Sequence, residues 1–535
     1  SNAAGTVINS GATLQFTGDI SVVGESLSLN GAGALGQEGV LVNVSGSNSF
    51  SGDITISTPA TFVSQSGSMT LGAVSSFGDG LIVTGSGDTS IEGNLQLGTG
   101  QLTKLGTGVL SLGGDNTILG GVLLSEGILE VANAGALGAS GNVTFDGGVF
   151  RHGVGDTVDH SGRFVANLGA TYRIATSGQT VTYTSPLSGV GSGLEKSGAG
   201  TLVLGAVNTF DGPVTVTGGR LAISDEAQLG LAPGAFAAAQ LLLDGGALNN
   251  TADLTLDDVN RGITLGAGGG IFDTDANTTL NLALAVEGPG VLIKDGSGTM
   301  VLNSVTTHTG GTQVQAGILR VGVSNAVSGD LSVTGSGTLD VDDKAVTVSS
   351  FSVSGAGAGV VGTGSINSAA GFSLTPTGDV TLSANLTGAG ALTKSGAGTA
   401  FLSAANTYTG GSSIGEGALF LDGGSLATGP VTVASAASFG GIGTVNGPVT
   451  LLNGTGTNPG EQALLNVGGG VQSGLNLLTL EDSLTLGDYA IIDFYLSKTG
   501  FTKLDLNGAA TFAANSRIRI NLELGYIPSE GSVFD

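Results

Sequence analysis

The sequence predicts an all-β solenoid, a chain wound into stacked rungs, and three observations carry that reading. Glycine accounts for 99 of 535 residues beside only 10 prolines, without the strict every-third spacing of collagen. Short apolar runs of three to five residues alternate with Gly, Asn and Thr, the residues that turn a chain at low cost, and no stretch keeps a helical period between caps. A 28-residue pattern recurs four times without a gap, and a fixed period marks a repeat architecture.

The four copies begin at Lys104 (KLGTGVLSLGGDNTILGGVLLSEGILEV), Lys196 (KSGAGTLVLGAVNTFDGPVTVTGGRLAI), Lys294 (KDGSGTMVLNSVTTHTGGTQVQAGILRV) and Lys394 (KSGAGTAFLSAANTYTGGSSIGEGALFL). The lysines lie 92, 98 and 100 residues apart, and four of the seven lysines occupy this one position. Within each copy three strands are expected, as at 109–112, 122–124 and 128–131. Strand centres near Leu110 and Leu129 are one solenoid turn apart, so they should stack in neighbouring rungs at the ~4.8 Å spacing of a sheet. About 20 residues per rung makes each super-repeat roughly five rungs. A degenerate fifth unit lies upstream, where Asn48-Ser49-Phe50-Ser51-Gly52 matches Asn406-Thr407-Tyr408-Thr409-Gly410.

The spacers repeat more loosely. Asp146-Gly147-Gly148 and Asp244-Gly245-Gly246 precede the next repeat lysine by 50 residues, and Arg163 and Arg261 precede it by 33. Three segments follow: a solenoid stretch over 1–97 with the degenerate repeat, four ~100-residue super-repeats over 98–435, and a terminal or capping segment over 436–535. Tyr489, Tyr495 and Tyr526, three of the six tyrosines, fall in that last segment. Solenoids need atypical ends. Ser1-Asn2-Ala3 reads as the scar of a cleaved tag, and the strand-like ending at Asp535 reads as a cut within a longer polypeptide.

Composition removes many activities. Without cysteine there are no disulfides, thiolate metal sites or cysteine nucleophiles. Fifteen basic against 41 acidic residues give a net charge of −26, which disfavours nucleic acid and anionic membrane surfaces as partners. No apolar run reaches the length of a membrane-spanning helix.

The pattern Lys-x-Gly-x-Gly-Thr-Leu-x-Leu, then Asn-Thr-Tyr-Thr-Gly-Gly, then Gly-x-Leu-x-Val resembles the autotransporter-associated β-strand repeat, also called the passenger-associated transport repeat. Residues 394–421 carry it most cleanly; residues 196–223 follow closely, 104–131 more loosely, and 294–321 with Thr306 in place of Asn. The segment from Gly440 (GGIGTVNGPVT) is similar to one that closes such arrays. The resemblance implies a right-handed parallel β-helix, exported as the passenger of a bacterial autotransporter or a similar surface protein. It implies placement at the surface of a Gram-negative cell, an adhesive or presenting role, and a β-barrel or other anchor outside this chain. Host-cell, extracellular-matrix or glycan ligands are the expected partners of a monomeric stalk. The alternatives are a β-helical polysaccharide lyase or hydrolase, and a carbohydrate-binding adhesin using exposed Tyr or Phe.

The elbow-like Gly411-Ser412-Ser413-Ile414-Gly415 needs a strand-turn-helix that this repeat cannot supply, and the other copies place Leu123, Thr215 and Gln313 at the position of Ser413. Gly31-Ala32-Gly33-Ala34-Leu35-Gly36 has no βαβ unit around it, and no lysine follows a glycine, which excludes a Walker loop. Asp340, Asp342 and Asp343 fit no calcium-loop spacing. The one dense group of functional side chains is Arg151, His152, Asp156, Asp159, His160 and Arg163. A carboxylate-imidazole pair suits acid-base work. Yet Arg163 recurs as Arg261 and Asp159 as Asp257, whereas His160 becomes Asp258 and His152 becomes Asn250. A loop of solvated charges is the favoured reading. No catalytic residue, metal site or cofactor is assigned.

Repeat positions are read as structural. Lys104, Lys196, Lys294 and Lys394 are expected to expose their ammonium groups beside a turn, bond to free carbonyls and deter edge pairing. Asn116, Asn208 and Asn406 are expected to bond to local backbone, His308 to occupy a turn, and Gly108, Gly200, Gly298 and Gly398 to serve tight bends.

Overall fold

The computed structural model describes residues 5–456, 458, 460–468, 476–496 and 500–522. Short parallel strands form a β-solenoid, and the described residues contain no α-helix, only two short 3-10 turns at Ser161–Arg163 and Glu226–Leu229. No described helix is long and apolar enough to cross a membrane. Contacts divide the chain into two compact units, Ser1–Gly270 and Ile271–Asp535.

In the first unit the strands obey a period of two. Val109–Leu112 and Ile128–Asn133 turn Leu110, Leu112, Leu129 and Val131 inward, where all four are buried. They pair in parallel, Leu110 opposite Leu129 and Leu112 opposite Val131, one rung above the other as the spacing predicts. A second face runs through Leu81–Thr84, Leu102–Lys104, Val122–Leu124, Val143–Phe145 and Phe164–Ala166, stacking Leu81, Leu102, Val122, Val143 and Phe164 in one column. Each such side chain leaving water contributes ~1.5–3 kcal/mol, so the column itself holds the rungs in register.

Copies one and two do not share a face. The Lys104 strand, Leu102–Lys104, belongs to that second column, whereas the Lys196 strand, Leu194–Ser197, pairs with Tyr172–Thr176 and through it with Val149–Gly155 and Ile128–Asn133. The repeat has moved to the neighbouring face after 92 residues.

In the second unit, strands from Leu292–Asp295 through Thr312–Val314, Asp330–Val333, Ser350–Gly355 and Phe372–Pro376 to Leu392–Lys394 form one continuous ladder, so copies three and four share a face after 100 residues. From the end of copy four the strands lengthen, Gly417–Leu426 pairing with Ala437–Val445 across a register shift. The described residues of 436–535 continue as parallel rungs up to Arg517–Leu522, opposite Ile491–Leu496. Tyr489 adopts a left-handed backbone; Tyr526 lies outside the described residues.

Candidate functional site

The repeat lysines stand inside the solenoid. Each is preceded two residues earlier by leucine (Leu102, Leu194, Leu292, Leu392), so strand alternation turns the lysine to the same inward face. Lys104 lies between Val83 and Leu124 in the column, Lys196 between Ile174 and Val216, and Lys394 between Leu374 and Ile414. All four are at most 2% exposed, which corrects the expectation of solvent-facing ammonium groups. The aliphatic stem fills the apolar column while the head reaches the corner of the rung.

There Nζ spends its three N–H bonds on three backbone carbonyls. Lys196 donates to Ser197 (2.8 Å), Gly198 (3.0 Å) and Gly218 (3.2 Å), and Lys294 to Asp295 (2.7 Å), Gly296 (2.8 Å) and Ala316 (3.1 Å). Lys104 and Lys394 bond to the same offsets. The third carbonyl belongs to the next rung, so each lysine clasps two rungs. Burial pulls all four ammonium groups down to about 8, opposed at Lys104 by Glu126 and Asp88. Gly108, Gly200, Gly298 and Gly398 press against the preceding rung: a Cβ there would stand 2.1–2.3 Å from a carbonyl oxygen.

The repeat asparagines join rungs, and only Asn406 also makes the expected local bond, donating to the Ala404 carbonyl at 2.9 Å. Asn208 Oδ1 accepts from the Leu187 amide 21 residues earlier (2.7 Å), and its Nδ2 donates to the Gln228 carbonyl 20 residues later (2.5 Å). Asn116 does the same with Leu95 and Ala136, and Asn406 with Leu386 and Ser425. Asn48 of the degenerate unit accepts from the Ile20 amide. Thr306 keeps the downstream bond, to the Ala326 carbonyl at 2.7 Å. His308, expected at a turn, instead points into the core and bonds to the Gly311 carbonyl and the Thr312 hydroxyl.

The first-spacer group splits in two. Arg151 pairs at the surface with Glu130 (2.6 Å), Asp159 accepts from Ser161 and Thr184, and Arg163 turns its guanidinium to the carbonyls of Leu137, Gly138, Ser140 and Gly141. Arg261 does likewise with Leu229 and Gly230. His152, Asp156 and His160 are instead buried, at most 4% exposed, which overturns the loop of solvated charges for these three. Strand Val149–Gly155 turns His152 inward; the chain then bends at Asp156 and returns His160 at the edge of the Ser161–Arg163 turn. His152 Nδ1 lies 2.7 Å from Asp156 Oδ2, His160 Nε2 lies 3.1 Å from the same oxygen, and His152 Nε2 lies 2.7 Å from the Tyr183 hydroxyl. Burial alone would raise the Asp156 carboxyl, but hydrogen bonds from His152 and His160 hold it down to about 2; burial lowers His152 below its ordinary value. Phe150 packs edge-on against both imidazoles. These three donors are of the type and proximity that hold a metal ion.

The other candidates disperse. Asp340 pairs with Arg320 at 2.8 Å, and Asp342 and Asp343 pair with Lys344, so the acidic trio does not converge. Ser413 faces outward on Ser412–Ile414, and no helix follows it. Nothing in the local sequence marks Tyr183, Phe150 or the glycines over the lysines (Gly127, Gly219, Gly317, Gly417). For the last, the available signal was their constant distance of 23 residues from each lysine.

Comparison with known proteins agrees with the geometry. The model of the passenger-associated-transport-repeat family matches residues 102–131, 194–223, 292–321 and 392–421, each beginning on the inward Leu-x-Lys strand. Over 239 residues, 43% of this chain, the sequence is 35% identical to an adhesin BmaC autotransporter of Brucella suis biovar 1 (strain 1330), of which that match covers 7%. The four matched segments coincide with the four lysine clasps, and the chain carries four segments that match the passenger-associated transport repeat.

Proposed function

We propose that this chain is a stretch of the passenger of a secreted or surface-displayed bacterial autotransporter, serving as a non-enzymatic stalk in adhesion. The observation that supports this best is the use of its distinctive residues. Lysine, asparagine and arginine positions that recur along the chain all turn to the carbonyls and amides of neighbouring rungs, as expected of a repeat whose work is to stack. The likeness to an adhesin supports the same role. Under this reading the chain acts as a monomer, an anchor such as a β-barrel belongs to the same polypeptide or its partner, and contacts with host cells, matrix or glycans fall to exposed loops rather than to the repeat core.

A polysaccharide lyase or hydrolase would need Asp156, Asp159, His160 and Arg163 to meet on a groove. Arg163 bonds to the 137–141 loop and Asp156 is buried beneath His152 and His160. The test joins binding and turnover: the chain displayed on a non-adherent bacterium, assayed for attachment to host cells, beside a screen of the purified chain on acidic and neutral polysaccharides. Attachment above the empty display scaffold without depolymerisation is expected. Turnover abolished by His160→Gln would overturn the proposal, as would attachment no better than the scaffold.

A further inference from the structure

We propose that His152, Asp156 and His160 form a binding site for a divalent first-row transition metal of the zinc class, with Tyr183 orienting His152. The donor set is two imidazoles and one carboxylate at i, i+4 and i+8, with one ligand atom from each lying within 4.8 Å of the others. Around a tetrahedral ion with bonds of ~2.1 Å, donor atoms sit ~3.4 Å apart. The 2.7 and 3.1 Å pairs to Asp156 Oδ2 therefore need only open slightly while the imidazole pair closes. Nitrogen donors favour zinc-class ions over calcium or magnesium, which prefer all-oxygen cages.

The surroundings fit a cation. Asp156 is fully buried, and among the described residues its only ion-pair partners are the two histidines. The nearby guanidinium groups are committed elsewhere, Arg151 to Glu130 and Arg163 to loop carbonyls. A buried carboxylate facing two imidazoles gains most from a divalent ion, since a buried charge without a matching one is costly. To ligate, each imidazole must present a lone pair to the ion instead of an N–H to Asp156. For His152 the proton shifts to Nε2, where the Tyr183 oxygen, 2.7 Å away, accepts it, and for His160 it shifts from Nε2 to Nδ1; both rings stay neutral and no proton leaves. A hydrogen bond from the non-ligating nitrogen is the usual partner of a metal-bound histidine.

Rung stacking alone does not demand these residues. At the matching positions of the next super-repeat, 98 residues on, stand Asn250, Leu254 and Asp258, and Leu254 and Asn250 fill the interior there. The polar trio is an addition peculiar to one turn of the solenoid.

The experiment uses the untagged chain, stripped with a chelator and dialysed against buffered zinc, with bound metal read by atomic emission. About one zinc per chain is expected. His308→Gln, which alters the only histidine outside the trio, should retain it. His160→Gln and Asp156→Asn should lose it, and Tyr183→Phe should weaken affinity by about 10–100-fold. Circular dichroism checks that each variant keeps its β-structure. Cobalt added to the unaltered chain supplies a readout independent of any variant, because a protein-bound tetrahedral or five-coordinate ion shows strong visible bands. Wild-type chain that takes up less than about a tenth of an equivalent and gives no cobalt spectrum overturns the proposal, as does full binding by folded His160→Gln.

Discussion

Lys196 Nζ lies 2.9 Å from the point a Cβ on Gly219 would occupy, so the lysine and the glycine 23 residues later specify each other. The same closeness recurs at Lys104 with Gly127 (2.6 Å), Lys294 with Gly317 (2.9 Å) and Lys394 with Gly417 (2.8 Å). Gly219 also has φ +61° and would set its Cβ 2.4 Å from the Gly200 carbonyl oxygen. Gly219→Ala should therefore cost about 2–4 kcal/mol through backbone strain and displacement of the clasp. Urea denaturation of that variant beside Gly234→Ala, where a Cβ meets nothing within 4 Å, checks it.

Stability should depend on pH through the lysines with a definite sign. Burial sets Lys196 at about 8 in the folded chain against an ordinary 10.5. Between those values the unfolded chain binds more protons, so unfolding becomes harder as pH rises. The cost of burying the charge is present in full below pH 8 and gone above 10.5. Relative to Lys196→Met, the wild type should gain up to about 3 kcal/mol across that window. A difference in urea midpoints that stays flat from pH 7.5 to 10.5 would count against a buried, desolvated ammonium.

Polar pairs have entered the core together. Tyr408 bonds to the Ser412 hydroxyl at 2.6 Å, and His308 bonds to Thr312 at 3.1 Å. At the same two positions copy two carries Phe210 and Val214, and copy one Ile118 and Val122, all buried. Tyr408→Phe alone leaves a buried serine without its partner and should cost about 1–3 kcal/mol. Tyr408→Phe with Ser412→Val restores the copy-two pair and should recover most of the loss. A double-mutant cycle by thermal unfolding measures the coupling.

The asparagine bridge predicts a graded series. Asn208→Ala removes bonds to both neighbouring rungs and should cost about 1–3 kcal/mol. Asn208→Thr should cost less, since Thr306 holds the downstream carbonyl by itself. Equal losses for the two variants would deny the downstream bond its role.

Much of this was legible in the residues. Period-two runs and turn residues located the strands of each copy, and the 19-residue step from Leu110 to Leu129 gave their stacking. Lys is seldom fully buried, which points the repeat lysine outward; the leucine two residues before it in every copy points it inward, as the structure does. Side chains near a turn usually bond nearby, as Asn406 does with Ala404, whereas the asparagines' partners some 20 residues away become neighbours only once the rung closes. His152, Asp156 and His160 looked like solvated charge for the same reason. Only the return of the chain after Asp156 brings both imidazoles to one carboxylate, and Tyr183 reaches them from 31 residues away.

The central claim is that the repeat lysines are inner clasps between rungs and not a surface row, and amine labelling of the folded chain tests it most directly. At pH 8 an accessible lysine with a lowered pKa would react faster than ordinary ones, because more of it is neutral; a buried one does not react. Peptide mass spectrometry after brief acetylation should find Lys344 and Lys503, 28% and 43% exposed, modified early. Lys104, Lys196, Lys294 and Lys394 should stay unmodified until urea unfolds the chain. Labelling of those four at or above the rate of Lys503 in the folded protein would contradict the account.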